Sequence, residues 1–72
     1  MPNNKYYTAE FKKRIYELCR IHDVSVGRLA QRAGVPRNVL YNAVNNNCVV
    51  GIKNLIKLSE TYSVSVDWLL GR

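Results

Sequence analysis

Residues 29–40 read LAQRAGVPRNVL. Two apolar helical faces meet there across a glycine and a proline. Leu29, Ala30 and Ala33 recur at the spacing of one helix face. Leu40, Ala43 and Val44 do the same beyond the break. Gly34 suits the left-handed residue that ends a helix, and Pro36 has its backbone set for the first turn of the next. Ala30 is small where two helices cross closely, while Val35 and Leu40 fill the angle from beneath. The expected product is a tight corner that holds its second helix outward.

The same reading extends in both directions. Ser25 can cap the helix carrying Val26, Leu29, Ala30 and Ala33. Upstream, Thr8 is a candidate cap, and Glu10 suits the positive end of a helix. Phe11, Ile15, Leu18, Cys19 and His22 then form one stripe. Residues 1–7 show no period and are expected to form a flexible arm. Asn45, Asn46 and Asn47 end the third helix, and Cys48, Val49 and Val50 continue as a loop. Gly51 opens a fourth helix with Ile52, Leu55, Ile56, Ser59 and Tyr62 on one side and Leu58 adjoining. Ser65 caps a short fifth helix whose Trp68, Leu69 and Leu70 close the core before Gly71. The expected fold class is all-α, a five-helix bundle containing a helix-turn-helix. It occupies a single domain over residues 8–72.

Composition narrows the function. The chain has 72 residues, and a domain of that size buries only about 60% of the surface its unfolded chain exposes. Such a thin core leaves no room for a deep substrate cavity. The sole histidine, His22, ends the first helix, and two cysteines with one histidine do not match zinc-ligand spacing. No catalytic residue, metal or cofactor is expected. The net charge is +6 and the pI about 9.7, which favours a polyanionic partner. Residues 1–37 hold eight Lys and Arg against three Asp and Glu, whereas residues 38–72 hold three against two. The positive field is therefore expected on the arm and first two helices, with Lys12, Arg20, Arg28 and Arg32 flanking a groove or facing an acidic partner. Asn38 through Ile52, fifteen consecutive residues, carry no charge.

Cys19 falls on an apolar face and Cys48 in a loop, a usage that suits reduced thiols in the cytoplasm. No stretch approaches a membrane span, and MPNNKYY lacks the apolar segment of a secretory signal. A soluble cytoplasmic protein is the expectation.

LAQRAGVPRNVL, the amphipathic IKNLIKLSETY and above all VSVDWLLG resemble the Cro and phage-repressor (XRE-like) class of helix-turn-helix proteins over about residues 8–71. The resemblance implies a lambda-repressor-like DNA-binding domain and binding to operator DNA through the third helix. It maps base-reading positions onto Arg37, Asn38 and Asn42, with Tyr41 beside them. It places backbone contacts near Ser25 and Val26 and in the loop after the third helix. The residue chemistry agrees in part. Arg37 can grip guanine O6 and N7, and Asn38 or Asn42 can grip adenine N6 and N7. Val39 or Tyr41 can touch a thymine methyl. Ser25 and Arg28 would orient the second helix against phosphates, and Asn45 completes the wet side of the third. Because one such helix reads few bases, a homodimer or a second protein is expected.

Departures from the pattern suggest weak phosphate binding. Val26 stands where the family commonly places a phosphate-bonding Gln. NNNCVV stands where Lys or Arg is frequent, and the usual Glu, Gly and Pro are replaced by Val44, Asn46 and Val50. A second reading follows from these departures. Val39, Tyr41, Val49 and Val50 would form an exposed apolar patch that holds a phage repressor protein and blocks its DNA binding. Small phage modulators of repression (antirepressors) resemble this chain in ending straight after the fifth helix.

Overall fold

In a computed structural model of the protein, residues 4–48 and 50–72 are described, with side chains from Ala9 onward. They form five helices and no strand: α1 Asn4–His22, α2 Val26–Ala33, α3 Arg37–Asn45, α4 Ile52–Tyr62 and α5 Val66–Leu69. The 19-residue α1 is about 28 Å long at 1.5 Å per residue. The body measures 33 Å by 22 Å by 22 Å. α1 packs on α2, α3 and α5; α4 packs on α2 and α5. Phe11, Ile15 and Leu18 of α1 meet Leu29, Ala30, Leu40, Ala43, Val44, Leu58 and Leu69 in one buried cluster. Among the described residues no helix is long and apolar enough to cross a membrane.

One joint is used three times. α1 ends at Asp23, α2 at Gly34 and α4 at Ser63, each with positive φ (54°, 74° and 54°). The following residue is a valine whose N–H reaches back five residues: Val24 to the Cys19 carbonyl, Val35 to Ala30 and Val64 to Ser59, at 2.9–3.1 Å. This satisfies carbonyls that a helix end leaves orphaned, while the valine turns inward. Val35 is buried, and Val24 and Val64 pack against the core. The third residue of each joint opens the next helix. Ser25 accepts from the Arg28 N–H and Ser65 from the Trp68 N–H, while Pro36 does so by its fixed φ of −57°. The segments DVS, GVP and SVS are thus one device in three spellings.

The structure corrects the sequence reading in two places here. α1 begins at Asn4, so residues 4–7 are helical and Thr8 lies inside the helix, not at its cap. Residues 1–3 lie outside the described residues. α4 is also rotated from the expected stripe. Leu55 and Leu58 are buried, but Ile52 is 63% and Ile56 45% exposed. The segment IKNLIKLSETY carries two overlapping apolar rows, and spacing alone does not choose between them. Tyr62 is the side chain that separates them. Its hydroxyl donates to the Leu29 carbonyl at 2.6 Å, which brings the Leu55–Leu58–Tyr62 side against α2.

The joint at Gly34 is tested by exchange of its residue. Gly34→Ala places a methyl with no atom within 4 Å, so its cost is backbone strain alone, about 1–2 kcal/mol. Ser63→Gly relieves the same strain and should stabilise by about 0.5 kcal/mol once glycine's extra unfolded-state entropy is counted. Urea-unfolding midpoints should move in opposite directions for the two variants. An unmoved midpoint for Gly34→Ala contradicts this description of the joint.

Candidate functional site

α3 is pinned from one side only. Leu40, Ala43 and Val44 are fully or nearly fully buried. At 3.6 residues per turn this turns Asn38, Tyr41, Asn42 and Asn45 away from the core, and all four are exposed, as is Arg37, the first residue of the helix, on the flank of Leu40 and Val44. No acidic residue stands in the first turn of α3, and Pro36 makes no side-chain cap bond there. The helix therefore presents Arg37 at the positive end of its own dipole.

A row on α2 meets a row on α3. Gly27 is buried, and a methyl built on it would lie 2.8 Å from the Tyr41 hydroxyl. Glycine here lets the phenol lie across α2. One turn further along α2, Gln31 Oε1 accepts from Arg37 Nη2 at 2.8 Å. Residues 27 and 31 are four apart, as are 41 and 37, so two neighbouring rows run against each other. At the far end of α3, Asn46 Nδ2 donates to Asn42 Oδ1 at 3.1 Å. That bond orients the Asn42 amide and leaves its NH2 free to donate outward.

At the head of α2, Ser25 and Arg28 are exposed, and the Ser25 hydroxyl oxygen is engaged with the Arg28 N–H at 3.2 Å. Val26 packs against the core instead of facing outward, and so does Val39. Val50 is only 5% exposed. These placements take Val50 out of the expected patch of Val39, Tyr41, Val49 and Val50. Val39 is half-buried against the core, Val49 lies outside the described residues, and Tyr41 is 41% exposed. The physical reason is volume: the small core needs both valines to close the space beneath α3 and the start of α4.

Charge is distributed differently from the half-by-half balance. Val24 to Ser59 contains no Asp or Glu but five cations, Arg28, Arg32, Arg37, Lys53 and Lys57. This run covers α2, α3 and most of α4. On α1, by contrast, Lys13 pairs with Glu10 and Arg14 with Glu17, each at 3.5 Å. Arg14 also donates to the Trp68 carbonyl at 3.1 Å and lies 5.0 Å from the centre of its ring. Uncompensated positive field therefore surrounds α3, a signal present in the sequence but hidden by dividing the chain at residue 37. Lys57 Nζ donates to the Gly34 carbonyl at 3.3 Å, which brings a cation from α4 to the corner itself.

Away from this face, His22 is exposed and its ring lies 4.9 Å from that of Tyr62. Burial pushes the Tyr62 phenol up, an effect Arg32 opposes and Cys19 adds to. Burial likewise pushes the Cys19 thiol up. Both cysteines are free, and Cys48 is exposed.

Comparison of the chain with protein-family models, curated proteins and solved structures finds no match.

Two outcomes test that geometry. Gly27→Ala gains up to about 1 kcal/mol of helix propensity but crowds Tyr41. The gain should be larger in a Tyr41→Phe background, with a coupling of about 0.5–1 kcal/mol in a double-mutant cycle; strict additivity contradicts the contact. With a thiol-disulfide reagent, one thiol per native chain should react quickly. Cys48→Ser should abolish that phase, whereas its survival would contradict the assigned burial of Cys19.

Proposed function

We propose that the chain is a sequence-specific DNA-binding domain of the Cro and phage-repressor class. In this reading the Gly34 corner is the turn of a helix-turn-helix, and α3 enters the major groove of an operator to regulate transcription. One observation carries the reading. Asn38, Tyr41, Asn42 and Asn45 share the exposed side of a helix whose other side is held by three buried residues, and Arg37 is exposed at its amino end. Arg37 donates to guanine, Asn38 or Asn42 pairs with adenine, and Tyr41 touches a thymine methyl. The amino end of α2, with Ser25 and Arg28, faces phosphate, where helix N–H groups favour an anion. Arg32, Lys53 and Lys57 add field without entering the groove. Two copies on half-sites one helical turn apart extend the few base pairs that one α3 can cover.

Binding of a repressor protein through the same face is the competing reading. It draws on a charge-free apolar patch, from which Val50 is removed by burial and Val39 is half-withdrawn against the core. The acid-free surround also fits a polyphosphate better than a repressor whose own DNA-reading face is basic.

Duplexes selected from a randomised pool test the proposal. Binding should weaken with added potassium chloride, with a slope of log affinity on log salt between about −2 and −4.5 for two to five phosphate contacts. Arg37→Ala should lose discrimination at one base pair, by about 1–3 kcal/mol, with no loss of thermal stability. Absence of any selected sequence, or recovery of a nuclease-resistant protein complex, would overturn the proposal.

A further inference from the structure

We infer that Gln31 is a positioning residue for Arg37, and that it presets the Arg37 guanidinium as a donor-only fork selecting guanine. The inference rests on the DNA-reading proposal and adds to it a residue of α2 that touches no base. The observation is the 2.8 Å bond from Arg37 Nη2 to Gln31 Oε1 across the Gly34 corner.

The bond has two consequences. Arg has no acceptor, so its contact fixes the otherwise ambiguous amide of Gln31 with oxygen toward Arg37 and NH2 away. The guanidinium itself keeps only donors to offer outward. Each Nη2 hydrogen belongs to one of the guanidinium's two-pronged edges. With one hydrogen held by Gln31, one complete edge with Nη2 remains, and its plane is set. A plane fixed in advance spares Arg37 the rotamer entropy of a free side chain on binding. Guanine offers two acceptors, N7 and O6, on its major-groove edge; adenine offers N7 beside the N6 donor, which a donor-only fork repels. Gln31 is suited to this role by place. It stands on the exposed margin of α2, one turn from Gly27, whose missing side chain lets α3 lie close.

The experiment compares base preference at the Arg37-dependent position for the native chain, Gln31→Ala, Gln31→Glu and Arg37→Ala, using pools of duplexes differing at that position. Thermal stability is measured alongside. A bidentate pair discriminates by roughly 5- to 150-fold. Gln31→Ala should lower the native guanine preference by about threefold to tenfold, the part that orientation contributes to that range, with melting temperature unchanged. Gln31→Glu keeps the acceptor and should retain the preference, while its negative charge weakens binding to every duplex. A full guanine preference in Gln31→Ala, or a uniform loss of affinity with preference unchanged, would overturn the positioning role and leave DNA reading intact. A native chain without base preference, or one whose preference survives Arg37→Ala, would overturn the DNA reading and this inference together.

Discussion

The arrangement depends on a single backbone constraint, the left-handed turn at Gly34. With φ at 74° the chain reverses quickly enough for the Val35 N–H to return to the Ala30 carbonyl. Val35 then drops into the core, and Leu40 follows one turn into α3. Once Leu40, Ala43 and Val44 are seated, α3 has no remaining rotation about its axis. Its polar row points outward because no other side is left. The two sister joints show what the glycine contributes. Asp23 and Ser63 reach similar φ with a β-carbon in place, at a cost in strain. The corner under α3 avoids that strain, where a shift of the backbone would rotate every residue of the exposed row.

Beyond Arg37, α3 carries no charge, which fits a division of roles. Long-range attraction to a polyanion needs net charge but not at the point of contact. The acid-free run from Val24 to Ser59 supplies it from α2 and α4. Under the DNA-reading proposal the exposed row is left to amides and one guanidinium, whose donors and acceptors would distinguish bases. Fewer cations at such a contact would mean less binding to indifferent DNA, since that binding is almost wholly electrostatic. Two amide braces fit the same proposal: Gln31 holds Arg37 and Asn46 holds Asn42, so two side chains of the exposed surface are oriented in advance.

Much of the fold was legible in the residues. Ser25, Gly34, Pro36 and Ser65 mark helix ends by their own chemistry, and each stands at the boundary it indicated. The core residues of α2 and α3 followed from a single spacing. The rotation of α4 was not legible, because two apolar rows overlap in it and the Tyr62 hydroxyl decides between them through a partner on another helix. Val50 was misassigned for a related reason: a loop valine gives no periodic sign of its burial. Of the site, the exposed row was legible from helix geometry. Its braces were not, since Gln31–Arg37 and Gly27–Tyr41 pair across a corner whose crossing no local pattern encodes. The acid-free run could have been found by counting charge along the chain instead of by halves.

The central claim is that the outward row of α3, set by the Gly34 corner, is the surface that meets DNA. Amide chemical shifts of the labelled chain, followed through titration with its preferred duplex, test it residue by residue. The account expects the largest changes at Ser25–Arg28 and from Gly34 to Asn46, with the outer face of α1 unmoved. Changes concentrated at Lys13, Tyr16 and Arg20, with the amides of α3 unchanged, would contradict it.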